Sequence, residues 1–282
     1  MVDILSALAE PWQHSFMVRA LLATTMVGVV CSVLGAYVVL RGMAFFGDAL
    51  AHSILPGVVL AFVLGWPLAI GALVVGILAA VAIGALSNRG LLKEDTAIGV
   101  IFAGAFALGV AMLSAFGSYT VDLAHFLFGN PLGVSNSDLL RTFILGGLVI
   151  LVVFLFYKEL MIVSFDPLLA TTLRLQVGFF RYLLLILLAI TIVISIQIVG
   201  IALVVAMLVT PPAAALFLTQ RLWRMMVIAG VIAAISGLIG LYISYFWAIA
   251  AGPAIVLVAT AIFIIVFLTA PGKGLIWKTR TA

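Results

Sequence analysis

The chain has 282 residues, of which 67% are hydrophobic and 8% are charged, and its net charge is +4. Soluble domains are about 45–50% apolar and about 25% charged, so this composition indicates a protein that crosses a membrane several times. The positive charge does not indicate nucleic-acid binding, because no basic tract is interleaved with aromatic residues. Cys31 is the single cysteine, which excludes a disulfide bond within the chain.

Apolar runs long enough to cross a bilayer follow one another along most of the chain. They lie near 16–40, 43–64, 67–86, 97–116, 139–157, 181–199, 200–220, 225–247 and 253–269. Gly200 would be the turn of a hairpin formed by the stretch 181–220. The runs predict an all-α polytopic membrane protein with about eight or nine transmembrane helices and no soluble catalytic domain. Residues 1–16 lack a basic region, so we expect no cleaved signal peptide.

The basic residues predict how the chain is oriented in the cell membrane. If the N-terminus is outside, all of the 13 Lys and Arg residues except Arg19 and Arg141 fall in inside segments. This bias follows the positive-inside rule. It predicts an outside N-terminus, a cytoplasmic C-terminus and an odd number of spans.

Two segments on the predicted outer side, 118–137 and 244–253, mix polar, small and aromatic residues. We expect both to be half-helices or re-entrant caps packed on the outer face. The alternative is an ordinary interfacial belt of aromatic residues.

The longest predicted inside segment is 158–180. Asp166 followed by Pro167 is a helix-start pattern, and the residues after it form a short amphipathic helix. Such a helix between two spans can dock on a cytoplasmic partner. The alternative is a helix that lies on the membrane surface without a partner.

Asp48 and His52 are ionisable residues inside the apolar run that starts near residue 43. An acid in a bilayer costs roughly 2.5–3.5 kcal/mol on insertion scales, so such residues indicate function by default. They are one helical turn apart and share a face, with His52 near mid-bilayer. An oxygen and an imidazole ligand together suit Mn(II), Fe(II) or Zn(II). Two ligands are too few for a tight site, but a two-fold dimer would supply two of each.

Other interpretations of this pair remain open. The two groups could relay protons, or His52 could donate to a helix carbonyl while Asp48 pairs with Arg41. Elsewhere, Glu94 and Asp95 are expected to stabilise a helix N-terminus. The sequence contains no G-x-x-x-x-G-K-[ST], H-E-x-x-H or G-x-S-x-G, which argues against ATP binding through a P-loop and against an intramembrane zinc protease.

The segment 41–65 (RGMAFFGDALAHSILPGVVLAFVLG) closely resembles the permease subunit of the manganese/zinc/iron ABC importers. So do 94–99 (EDTAIG), 125–130 (HFLFGN), 165–167 (FDP), 199–200 (VG) and 208–211 (LVTP). The motifs run in order from about residue 41 to 260, which makes the resemblance specific. The Leu-Pro-Gly after His52 is more similar to the manganese-type members. The chain departs from the family pattern at Leu168-Leu169 and at Ala250-Ala251-Gly252.

The resemblance implies a type II ABC importer-like fold, with 1–282 as a single permease domain and 15–270 embedded in the membrane. It implies a homodimer driven by cytoplasmic ATP-binding-cassette ATPase subunits, which bind the ATP, and fed by an extracytoplasmic metal-binding protein. Asp48 and His52 match the family's pore-lining metal residues, and the segment 158–180 contains the coupling helix. Its expected ATPase-docking residues are Phe165, Asp166, Pro167, Leu168 and Leu169.

The expected function is therefore a transport subunit and not an enzyme, with the metal ion as cargo and no resident cofactor in this chain. Mn²⁺ is favoured, and Zn²⁺ and Fe²⁺ are alternatives. A different possibility is a proton-coupled secondary metal transporter that uses Asp48 and His52. The segment 165–175 favours the first, since a secondary carrier needs no ATPase dock. An intramembrane enzyme would need a second polar cluster, and no other predicted span contains Asp, Glu or His.

Overall fold

The computed structural model describes residues 10–88, 92–116 and 131–270, and in these ranges every regular element is helical. The α-helices are α1 Ser15–Leu40, α2 Phe46–Ser53, α3 Leu55–Val63, α4 Leu68–Asn88, α5 Glu94–Phe116, α6 Asn136–Leu155, α7 Tyr157–Phe165, α8 Pro167–Thr172, α9 Val177–Val199, α10 Ile201–Leu218, α11 Leu222–Trp247 and α12 Ala251–Thr269. Short 3₁₀ turns cover Glu10–Gln13 and Pro131–Gly133.

Within the described residues, 9 helical segments are long and apolar enough to cross a membrane, and α2 with α3 forms one of them. Each lies within a few residues of a run predicted from the sequence, so the all-α polytopic fold is confirmed. Gly200, with φ 81°, separates α9 from α10. Helices dominate because a bilayer offers no water to unpaired backbone groups, and a helix satisfies them internally.

Two compact units make up the chain. The first comprises Met1–Ala36, Gly129–Gly147 and Ile198–Ala282, and the second comprises Tyr37–Phe128 and Leu148–Gln197. The division therefore cuts through α1, α6 and α9. It puts the proposed metal residues and the segment 158–180 in the same unit.

In the first unit, α10 continues through Pro211 and Pro212 without ending. Proline has no N–H, so Pro212 cannot donate to the carbonyl of Leu208 one turn earlier. Gly35 of α1 lies against that carbonyl, where a Cβ atom would overlap the Leu208 oxygen. The missing side chain lets the two helices approach at a carbonyl oxygen that proline leaves without its usual helical donor.

The segment 244–253, which the sequence places outside, does not form a half-helix, so this expectation was wrong. α11 continues to Trp247, Ala248 adopts a left-handed conformation with φ 52°, and α12 begins at Ala251. The Ser244 hydroxyl closes this turn by donating to the carbonyl of Ile249 at 2.6 Å. The tight turn leaves no length for a separate element.

Aromatic residues gather at this end of the first unit. Trp12 donates its indole N–H to Tyr242, and Tyr245 donates to the Glu10 carboxylate at 3.4 Å. This grouping agrees with the interfacial aromatic alternative. Most of the other predicted outer cap, 118–137, lies outside the described residues.

In the second unit, α3 and α4 cross at Gly57 and Gly71. A Cβ on either glycine would overlap the carbonyl oxygen of the other. Gly-to-Gly contacts of this kind let helix backbones approach closely in membranes. The crossing packs α3 firmly, and α3 directly follows the helix that carries Asp48 and His52.

Candidate functional site

The helix α2 buries every side chain except those of Asp48 and His52. Their side chains are 38% and 35% exposed, respectively. The Asp48 Oδ1 atom lies 3.6 Å from the His52 Nε2 atom, one helical turn away. The predicted shared face is therefore observed, and it is the accessible face of an otherwise buried helix.

Aromatic rings of α5 hold the imidazole. The His52 ring centroid lies 5.7 Å from that of Phe106 in an edge arrangement and 6.1 Å from that of Phe102. Phe45 in turn meets Phe102 edge-on at 6.0 Å. These contacts restrict the ring, while its partial exposure keeps the imidazole and the carboxylate reachable.

The backbone breaks directly after the pair. α2 ends at Ser53 and α3 begins at Leu55, with Pro56 in its first turn. Because proline has no N–H, it cannot donate to the His52 carbonyl, and the N–H of Ile54 is directed there instead. Discontinuous helices of this kind form ion sites in many transporters.

The described residues of one chain bring together only the two predicted metal ligands. Among the described residues, no group of three or more His, Cys, Asp and Glu side chains could hold an ion. The assignment of Asp48 and His52 as two metal ligands per chain stays a prediction. The alternative ion pair between Asp48 and Arg41 is not formed, because the Arg41 guanidinium binds Glu94.

Glu94, at the start of α5, is the centre of an ion-pair cluster in the second unit. Its Oε1 atom accepts from Arg41 Nη2 at 2.5 Å, and it also accepts from Arg181 Nε at 2.9 Å and from Arg181 Nη2. The three side chains are 10–19% exposed. Burial lowers the pKa of Arg41, and the neighbouring Glu94 carboxylate acts in the opposite direction.

The sequence interpretation missed this cluster. It placed Glu94 in the first turn of a helix, which is correct, but gave it only a helix-dipole role. The available signal was topological. Arg41 follows one span and Arg181 lies at the beginning of another, on the side where the topology also places Glu94. Two positive charges and one negative charge therefore meet at one membrane face.

The predicted helix start at Asp166 is observed. The Asp166 Oδ1 atom accepts from the Leu169 N–H at 2.9 Å and caps α8, with Pro167 in the first turn. Ala170 is buried and anchors the helix. Apolar side chains point outward from this segment, with exposed fractions of 55% for Phe165, 80% for Leu168 and 48% for Leu169.

Asp122 and His125, two polar residues of the segment 118–137, lie outside the described residues. Asp95 is exposed beside Glu94, and no salt bridge in the described part of the chain includes it.

The sequence of this chain is similar to the sequences of known proteins. A model of the ABC 3 transport family matches residues 13–270. The manganese transport system membrane protein MntC of Listeria monocytogenes is 46% identical over 268 residues, which is 95% of each chain. The chelated iron transport system membrane protein YfeD of Yersinia pestis is 42% identical over 262 residues, covering 93% of this chain and 88% of that protein.

A solved structure shares the fold. PsaBC from Streptococcus pneumoniae, in complex with Fab, contains a chain that matches with a TM-score of 0.83 and 38% identity, covering 96% of this chain and 97% of that one. The nine apolar helical segments of the described residues are those of a multi-pass membrane protein. The chain belongs to the ABC 3 transport family.

Proposed function

We propose that this chain is the permease subunit of an ATP-driven importer that moves a divalent transition-metal ion into the cytoplasm, with Mn²⁺ as the favoured ion. The observation that carries the proposal is the Asp48–His52 pair, which is the accessible pair on the buried helix α2. MntC supports manganese and YfeD supports iron as the cargo class. Family membership favours this function over a proton-coupled carrier.

The ion passes through a site shared by two copies of the chain. Each protomer supplies one carboxylate and one imidazole, and a two-fold axis doubles this to four ligands. An oxygen and nitrogen set suits Mn²⁺, Fe²⁺ and Zn²⁺. A site assembled from two partial sets can also release its ion when the two halves separate, which a transport site requires.

Energy comes from a separate ATPase that docks on the segment 158–180. The capped helix α8 presents Leu168 at 80% exposure and Leu169 at 48% exposure. Exposed apolar side chains at an accessible helix are typical anchors for a helix-in-groove contact. The chain itself lacks a P-loop, so ATP is bound by the partner.

The proposed orientation places the N-terminus outside and the C-terminus in the cytoplasm, with 1–282 as one permease domain. The distribution of Lys and Arg supports it. An extracytoplasmic metal-binding protein then delivers the ion to the outer face. The permease, its ATPase and this binding protein form the complete importer.

Reconstitution into vesicles with the ATPase and the metal-binding protein tests the proposal. We expect ATP-dependent accumulation of Mn²⁺ in the wild type and none in Asp48→Asn or His52→Ala, because each substitution removes one of two ligand types. Matched controls are Asp95→Asn and His14→Ala, which make the same chemical changes at exposed positions outside α2. Both should transport normally.

The readout is metal content by mass spectrometry, with assembly checked by size-exclusion chromatography. Wild-type uptake in either α2 variant would refute the site assignment. Uptake by the wild type without ATP, driven by a pH gradient, would refute the ATP-driven function and favour the secondary carrier.

A further inference from the structure

A cavity of about 370 Å³ lies within the second unit, beside the first residue of α8. A water molecule occupies about 30 Å³ in the liquid, so there is room for a polyatomic ion. One part of the wall is polar and the other is apolar. The lining residues are Arg41, Glu94, Ser164 and Arg181, followed by Leu40, Val163, Pro167 and Val177.

The polar wall is positively charged. Arg41 and Arg181 share the single carboxylate of Glu94, so within the described ranges one positive charge has no anionic partner. The side chain of Arg41 is 10% exposed, so water compensates this charge poorly. A site of this kind favours an anion.

Two donors that belong to lining residues have no hydrogen-bond partner among the described residues. They are the Nη1 atom of Arg41 and the Oγ atom of Ser164, both buried. Ser53, Ser87 and Ser236 each donate to the carbonyl one turn earlier, whereas Ser32 in α1 also lacks a partner but does not line this cavity. A buried polar group left unpaired is destabilising by about 1–3 kcal/mol, and such groups are rare in native proteins unless they meet a ligand or water.

We propose that this cavity binds a phosphate oxyanion. A guanidinium and a hydroxyl that both lack acceptors match the acceptor oxygens of phosphate, and arginine is the preferred partner of that group. The favoured source is the headgroup of an anionic membrane lipid. The cavity lies where α1 ends and where α5 and α9 begin, which is the level of a membrane surface, and its apolar wall suits the glycerol and acyl part.

Basic pockets between transmembrane helices recognise lipid headgroups in this way. The site is separate from the Asp48–His52 pair. It contacts α8 through Pro167, so its occupant would stiffen the segment proposed to dock the ATPase. Neither the metal nor the ATPase is needed for the binding itself.

Native mass spectrometry of the full-length, delipidated permease tests the proposal. Phosphatidylglycerol is titrated against zwitterionic phosphatidylethanolamine, and inorganic phosphate is added as a competitor. We expect one phosphatidylglycerol per chain to be retained in preference to phosphatidylethanolamine. Arg41→Gln should weaken this binding about tenfold, as expected for one charged hydrogen bond, and Ser164→Ala about threefold.

Ser164→Ala tests whether weaker lipid binding could come from misfolding. Removing a hydroxyl that has no partner leaves the protein fold unchanged, so any loss of binding reflects the site. Lys158→Gln, which removes an equal charge at an exposed position in α7, should bind as the wild type does. Displacement of the lipid by inorganic phosphate would confirm the site with a soluble anion as its source. Equal lipid retention by the wild type, Arg41→Gln and Ser164→Ala would overturn the proposal, whatever the result for metal uptake.

Discussion

Leu168 is the sharpest test of the proposed ATPase dock. Its side chain is 80% exposed on α8, and in a docked complex this area would be removed from water. Truncation to alanine deletes three carbon atoms, each worth about 0.8 kcal/mol when fully buried. Scaled by the exposed fraction, the loss is about 2 kcal/mol, which weakens binding about thirtyfold.

The assay is the affinity of detergent-purified permease for its ATPase, measured by surface plasmon resonance. The thermal stability of Leu168→Ala should equal that of the wild type, because the side chain has few neighbours to lose in the free chain. Leu257→Ala, at a leucine of α12 that is 68% exposed, is the matched control and should bind normally. Unchanged ATPase affinity in Leu168→Ala would refute the assignment of α8 as the dock.

Two further substitutions test the packing around the site, with thermal unfolding in detergent as the measurement for both. Gly71→Ala should lower the stability of the protein by about 1–3 kcal/mol, because the added methyl overlaps the Gly57 carbonyl oxygen. Gly147→Ala, where the added methyl meets open space, should be neutral or slightly stabilising. Equal melting temperatures for the two variants would contradict the close α3–α4 crossing. Glu94→Gln should lower the stability of the protein by about 3 kcal/mol, since it leaves two largely buried guanidiniums unpaired. Asp95→Asn, on the same helical turn, should have little effect. A Glu94→Gln protein as stable as the wild type would show that the cluster is not needed for stability.

Hydropathy was enough to predict the spans, because a helix is the simplest way to satisfy backbone groups in a bilayer. The predicted run 181–220 with its turn at Gly200 matches α9 and α10 closely. Asp166 and Pro167 located the start of α8 for a similarly local reason, since capping depends on residues a few positions apart. In each of these cases the deciding interaction lies within one turn of helix.

Contacts between distant segments were not predicted. The sequence placed His52 on a helical face, but the packing of its ring on Phe102 and Phe106 depends on how α2 lies against α5. Likewise, the pairing of Arg41 with Glu94 joins residues far apart in the chain. The turn at Ala248 was missed because a left-handed alanine is uncommon and leaves no sequence pattern.

The helix α5 links the two charged features of the second unit. Its first residue, Glu94, holds Arg41 and Arg181 beside α8, and further along Phe106 packs on His52. At 1.5 Å per residue, these two points are about 18 Å apart. Because the rise of a helix is fixed by its backbone hydrogen bonds, a displacement of the Glu94 end moves the ring that holds the imidazole. If an ATPase acts on α8 as proposed, it would thus change the position of His52, a proposed metal ligand, through α5.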